Sequence, residues 1–388
     1  MPRDHPCERK RHWSNPGSYR NALQPFPPGQ TSPRADLTLP VGLFTLTGPR
    51  GFRLAASGAN LTSFKHGKSK TMMAKNQPTP DERPGFAIMN GRLMPYADAK
   101  ISIMAPGLTF AVTIFEGLRG YWNAKREELN VFRIGAHLDR MAFGMTLMEL
   151  DGPPSAADFT YQILEVTRAN DIREDCYIRL QAYVDEWGDM TATGPVGSSV
   201  ICRSRPRVSA FETGKHFGVA SWRRNTEDAS PPRIKATANY LNSRLAGMEA
   251  KRNGYGGAII LNHDGSVAEG PGGCIFLRRG ETLITPSVTD GILESVTRDT
   301  LIQLARAAGR NVEERKVGRT ELYLADEMFY CGTGQEITPM LSVDGKPIGS
   351  GEPGPLTRDL QRDYDALVRG HASPGFSDGW LTPVWGNS

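Results

Sequence analysis

Arg233-Ile234-Lys235-Ala236-Thr237-Ala238-Asn239-Tyr240-Leu241 sets one lysine among small side chains, with a tyrosine five positions further on. A lysine that forms an imine must lose its proton and have an aldehyde brought against it. Small neighbours leave room beside it for a flat ring, and a nearby phenol can hydrogen-bond a ring oxygen. Taken alone, the stretch also reads as an ordinary surface lysine, because lysine is mostly exposed. The segments on either side of it decide between the two.

Downstream stand Glu269-Gly270-Pro271-Gly272, Thr297-Arg298-Asp299 and Gly332-Thr333-Gly334-Gln335-Glu336-Ile337-Thr338-Pro339. Upstream stand Phe115-Glu116-Gly117 and His137-Leu138-Asp139-Arg140. With the lysine block these motifs run in order through residues 83–369. In identity, order and spacing they resemble the class IV pyridoxal-phosphate aminotransferases, most closely those acting on branched-chain amino acids. The resemblance implies an α+β, two-domain protein of fold type IV, like D-amino acid aminotransferase. It also implies pyridoxal 5'-phosphate as cofactor, a homodimer, and transfer of the amino group of leucine, isoleucine or valine to 2-oxoglutarate.

Such a cofactor needs a lysine, a phosphate cradle, an acid partner for its pyridine nitrogen and a grip on its ring oxygen. By resemblance Lys235 is the catalytic lysine, Glu269 the acid partner and Tyr240 the grip. Arg140, Val296, Thr297 and Thr333 surround the phosphate. The chemistry is consistent: arginine offers a planar charged fork, and Val296 and Thr297 open a predicted helix whose free N–H groups favour an anion. The glycines after Glu269 suit close approach of backbone to a ligand. For the substrate, the resemblance implies that Thr333 and Gly334 face the α-carboxylate and that Phe110 and Phe115 line the side-chain pocket. Tyr177 and Arg179 fall in a Tyr-Ile-Arg block, where arginine can bind glutamate's second carboxylate and move aside for an aliphatic chain.

Three positions depart from the family pattern. Cys274 replaces an asparagine, Ser295 replaces a glycine, and Arg203-Ser204-Arg205-Pro206-Arg207 lies where a tryptophan often enters the pocket. The last bears on the choice of donor. It keeps open a class IV enzyme for a D-amino acid or an amine; an aminodeoxychorismate-lyase-like enzyme and a non-catalytic cofactor-binding protein are the other readings, the second opposed by Lys235, Glu269 and the phosphate residues together. The lyase's His-Leu-Asn-Arg-Leu character is absent after Lys235.

The 388 residues suffice for two domains, and 39% hydrophobic with 23% charged residues is a globular composition. No apolar run is long enough to span a bilayer. The five cysteines are scattered with no CxxC, which predicts buried thiols in a reducing cytoplasm and neither a disulfide framework nor a metal site. Residues 1–80 hold twelve Lys or Arg against three Asp or Glu, so the net charge of +4 belongs to this leader and does not point to nucleic acid. With eight prolines in its first forty residues, 1–82 is expected to be a disordered leader or, given Met72-Met73, sequence ahead of the true start. The remaining divisions are a small α+β domain over 83–206, an inter-domain segment at 207–213, and a large α+β domain over 214–388 carrying the lysine. Leu241, Leu245 and Met248 are predicted to form the buried stripe of a helix after that lysine, and 266–269 a short strand.

Overall fold

The computed structural model describes residues 83–372 and 374–385; the expectation for 1–82 lies outside them. Asn90 and Gly91, with φ of 50° and 75°, turn β1 (Phe86–Met89) onto β2 (Arg92–Pro95). Left-handed φ at both central residues is what a two-residue hairpin turn of this twist requires. β3 (Thr113–Asn123), β4 (Glu128–Phe132), β5 (Cys176–Val184) and β6 (Val196–Ser204) extend this hairpin into an antiparallel sheet ordered β4-β3-β5-β6-β1-β2. The C-terminal strand Leu381–Pro383 returns to pair with β4.

Three helices accompany this sheet: α1 (Pro106–Thr109), α2 (Ile134–Leu147) and α3 (Ala156–Ala169). Leu138, Met141 and Met145 of α2, with Ile163 and Val166 of α3, pack with Ile114, Leu118, Ile178 and Leu180 of the strands. The start of α3 is set by a capping box. Asp158 N–H donates to Ser155 Oγ at 3.1 Å, and Ser155 N–H donates to Asp158 Oδ2 at 2.9 Å.

After β6 the chain runs through 205–209 and α4 (Ala210–Thr213) into a second sheet. Its strands are β7 (Lys215–Arg223), β8 (Gly257–Leu261), β9 (Cys274–Arg279), β10 (Thr282–Thr285), β11 (Asn311–Glu314), β12 (Glu327–Gly332) and β13 (Glu336–Val343). They are ordered β11-β10-β9-β12-β13-β7-β8, with a short β14 (Lys346–Pro347) on β13. β7 lies parallel to both β13 and β8. α5 (Tyr240–Arg252), α6 (Val296–Ala307) and α7 (Pro355–Val368) belong to this half, and Gly309 at φ 73° stops the chain beyond α6.

Two expectations change. Residues 266–269 pair only through isolated bridges, Ser266 with Gly318 and Val267 with Leu261, so Glu269 arrives on a loop between strands. The stripe of α5 is reversed: Leu241 is 65% exposed and Met248 is exposed too, whereas Ser243, Ala246 and Ala250 are buried. Ala246 and Ala250 meet Ala220 and Ala258 of β7 and β8, a contact that small side chains permit and leucines would hold apart.

The first sheet reaches the lysine directly. Phe115 N–H of β3 donates to Lys235 O at 3.0 Å, and Ile114 bridges Ala236. A loop of the second half is thereby pinned to an interior strand of the first.

Candidate active site

Lys235 ends a loop tied down by Asn239. Its Nδ2 donates to Pro231 O at 2.9 Å and Ile234 O at 3.1 Å, while its Oδ1 accepts from Asn225 Nδ2 at 3.0 Å and from the Ser230 hydroxyl. With that backbone held, Lys235 Nζ donates to Tyr240 Oη at 2.8 Å. Phe115 lies edge-on to Tyr240, with ring centroids 4.9 Å apart. Lysine, phenol and phenyl ring line one cavity that Glu269, Arg140 and Thr333 also line.

Glu269 is buried. Its Oε1 lies 2.6 Å from Arg224 Nη2, and its Oε2 accepts from Leu293 N–H at 3.3 Å. Burial pushes the carboxyl upward, opposed by the Arg224 charge and the Leu293 N–H. Arg224 is itself held by a hydrogen bond from Nε to Gly291 O at 2.9 Å. Cys274 faces the same carboxylate, Sγ to Oε2 3.6 Å. Burial first, then the Glu269 charge, push that thiol well above its usual range, so it stays neutral where an amide would donate more strongly.

At the other end of the cavity two sequence motifs become one cluster. Arg140 Nε and Nη2 donate to the two oxygens of Glu116 at 2.7 and 2.8 Å, and Nη1 donates to Glu294 O at 2.6 Å. His137, one turn before Arg140 on α2, lies 2.8 Å from Glu116 Oε2 through Nδ1. Burial acts to raise the Glu116 carboxyl, but Arg140 and His137 outweigh it and hold it far below the usual carboxylate range. Burial keeps His137 on the low side; its Nδ1 carries the proton, because an ionised carboxylate only accepts. Arg140 is thus aimed with its charge intact.

Ser295 caps α6, its Oγ accepting from Arg298 N–H at 3.2 Å, and it lines the cavity. Val296 and Thr297 are buried just behind it and do not line that cavity. What they can offer a phosphate is the N–H groups of the first helical turn.

The remaining wall comes from β3, β5 and the β12–β13 turn. Arg179 lies over Phe115, guanidinium carbon to ring centroid 3.6 Å, and Arg205 lies over Tyr177 at 4.9 Å. A Cβ on Gly117 would run into the Tyr177 hydroxyl, which is why that motif position suits glycine. Thr333 and Gly334 form the turn opposite, and Arg205 Nη2 donates to Gly334 O at 3.3 Å. Phe110 does not join them. It sits at the end of α1, 48% exposed and outside this cavity.

Nine of the expected residues therefore share one cavity: Arg140, Lys235, Tyr240, Glu269, Thr333, Phe115, Tyr177, Arg179 and Gly334. Sequence reading missed Arg224 and the capping role of Ser295. Arg224 follows Trp222-Arg223 at the end of β7 and carries no local signal; Ser295 carried one, a serine directly ahead of a helical pattern. The donor set suits pyridoxal phosphate. A primary amine, a phenol, a buried carboxylate with its own arginine and a second arginine near a helix start cover the four needs of that group.

The family model for class IV amino-transferases matches residues 113–343. A probable branched-chain-amino-acid aminotransferase of Aquifex aeolicus is 38% identical over 306 residues, covering 77% of this chain and 97% of that protein. The branched-chain-amino-acid aminotransferase of Escherichia coli K12 is 35% identical over 310 residues, covering 78% and 98%. Among solved structures, the Thermobaculum terrenum branched-chain amino acid aminotransferase in its PLP form superposes with a TM-score of 0.73 at 42% identity, covering 78% of this chain and 99% of that one.

Proposed function

The chain belongs to the class IV amino-transferases, and from that premise we infer that it is a pyridoxal-phosphate-dependent branched-chain amino acid aminotransferase. Leucine, isoleucine or valine gives its amino group to 2-oxoglutarate, leaving a branched 2-oxo acid and L-glutamate. When bound, the cofactor supplies an aldehyde that accepts the amino group and a ring that holds the electron pair left at the donor's α-carbon.

The rest of the chemistry we assign to this chain's residues. Lys235 Nζ takes the donor's α-proton and returns it on the other side of the transfer. Tyr240, 2.8 Å from that nitrogen, orients it and offers a hydroxyl to the ring oxygen. Glu269 holds a proton at the pyridine nitrogen, and Arg224 supports it as a carboxylate. Arg140, Thr333 and the first N–H groups of α6, those of Val296 and Thr297, hold phosphate.

The observation that carries the choice of donor is Arg179 lying on Phe115 at 3.6 Å. One wall offers an aromatic face to an aliphatic chain, and a cation that can swing out to the second carboxylate of glutamate. The test compares kcat/KM for leucine, aspartate, D-alanine and 1-phenylethylamine as donors in wild type and Arg179→Ala. Leucine is expected to lead, and Arg179→Ala to impair glutamate more than leucine. A faster D-alanine would move the protein to the reading as a D-amino acid enzyme, which Arg205 in the pocket wall favours over an amine donor, and a faster amine would overturn both. Lys235→Ala should lower turnover by about a thousandfold or more, the upper range for a lost acid–base group.

We further propose that the halves built on the two sheets, 83–206 and 214–388 with 207–213 between them, are two domains with the cofactor between them, and that the protein is a homodimer. Ile103, Leu108 and Phe110 on and before α1, with Trp187 and Met190 on the adjacent loop, are exposed apolar residues that a second copy would cover. Among the described residues no helix is long and apolar enough to cross a membrane. The four described cysteines are free and buried, which supports a cytoplasmic location.

A further inference from the structure

Four arginines reach the cavity: Arg140, Arg179, Arg205 and Arg224. Arg140 is paired with Glu116 and Arg224 with Glu269. Among the described residues no carboxylate lies within ion-pair distance of Arg179 or Arg205. The acids nearest Arg205 are already taken. Glu336 accepts from Arg207 Nη2 at 2.9 Å, and Asp175 accepts from Arg369 at 2.9 and 2.8 Å. Buried Arg119, which donates to Arg205 O at 2.8 Å, adds a further positive charge. Burial lowers the affinity of Arg205 for its proton, and the charges of Arg119 and Arg203 act in the same direction.

The two unpaired guanidiniums serve different parts of the cavity. Arg179 lies on Phe115, against the side-chain wall. Arg205 follows β6, with its N–H on Asp175 O at 2.8 Å, and its guanidinium lies over Tyr177 and on the carbonyl of Gly334. A cation half removed from water, with only a carbonyl acceptor, gains most from an anion brought beside it.

We propose that Arg205 is a specificity-determining residue that binds the α-carboxylate of every amino donor and 2-oxo acid. This deepens the aminotransferase reading and rests on the Thr333-Gly334 turn being the α-carboxylate end of the pocket. Arg179 then answers only to a second, side-chain carboxylate. The arginine that departs from the family pattern thereby restricts the enzyme to amino acids and excludes simple amines.

The test uses the holoenzyme and two donors that differ only in this charge, leucine and leucinamide. Their half-reactions are followed by cofactor absorbance in wild type, Arg205→Met, Arg205→Lys and Arg179→Ala. Arg205→Met should lower kcat/KM for leucine about ten- to hundredfold, the scale of one charge-assisted hydrogen-bond pair, and leave leucinamide unchanged. Arg205→Lys should fall between, and Arg179→Ala should keep the wild-type leucine-to-leucinamide ratio. Binding of 4-methylpentanoate, set against 4-methylpentanamide, should weaken in Arg205→Met by a similar factor. The proposal is overturned if Arg205→Met slows both donors equally, which would make Arg205 a prop for the Gly334 turn, or if it changes neither. If Arg205→Met does not fold, the Arg205→Lys ratio decides, a wild-type value overturning the proposal. Wild type that prefers carboxylate over amide, yet is slow with leucine beside another amino acid, would sink the branched-chain reading and leave this one standing.

Discussion

Arg224 governs the buried acid of the site through one short ion pair. A carboxylate as enclosed as Glu269 would take up a proton if its 2.6 Å partner were lost. Glu269→Gln should therefore lower kcat about a hundredfold while cofactor affinity moves by less than about tenfold, since the loss falls on the charged stage of the reaction. Arg224→Gln should do the same more mildly, and its rate should climb with pH over a range where wild type is flat. Equal losses in rate and cofactor binding for Glu269→Gln would make that residue structural. Glu116 works in the opposite sense. Its carboxyl is held below its unfolded value, so its contribution to stability is complete above the unfolded pKa of about 4.3 and is lost as pH falls toward the folded value. The stability gap between wild type and Glu116→Gln, measured by denaturant titration, should be flat from about pH 7 to 5 and close below about 4.

Among the elements, α5 shows how little of a helix's orientation its apolar residues dictate. Leu241, Leu245 and Met248 are spaced along one stripe, yet Leu241 and Met248 are exposed, Leu245 is half-buried, and Ala246 and Ala250 face the sheet. Closeness decides it: with alanines on both sides, the helix carrying Tyr240 can settle near β7 and β8. Ala246→Leu should cost about 1–3 kcal/mol through overpacking, and it should lower activity by moving Tyr240 relative to Lys235. Met248→Gln, on the exposed face, should stay within about 0.5 kcal/mol. Thermal and denaturant unfolding of the two variants side by side would reverse the assignment if their order were inverted.

At the scale of the whole molecule, the site lies where Phe115 N–H of the first sheet holds Lys235 O, beside a core that Tyr121 and Phe132 share with Phe276, Leu301 and Tyr364 of the second half. Helix α2 reaches the cavity through Arg140, α6 through Ser295, and the β12–β13 turn through Thr333 and Gly334. The apolar rim beyond α1 remains outside this arrangement, with Ile103 80% and Trp187 79% exposed. Ile103→Asp or Trp187→Asp should shift a homodimer toward monomer at micromolar concentration, as read by analytical ultracentrifugation. A wild-type protein that sediments as a fully active monomer would remove the basis for the dimer.

Read as sequence alone, this chain determined its family and its cofactor, because those depend on residue types at short spacings that local backbone geometry holds together. The helix that opens at Val296 was legible for the same reason. The partner of Glu269 was not, since Arg224 and Glu269 are far apart in the chain and only the crossing of β7 with the loop before β9 brings them together. Nor was the linkage of Glu116 to Arg140, the reversal of α5, or the placing of Phe110 outside the cavity that holds Phe115. Each of these depends on which surfaces pack and how closely, and packing is a property of distant segments meeting in space. Tertiary structure therefore decided the electrostatics of the site and, among the described residues, left Arg205 without an acidic partner beside the Gly334 turn.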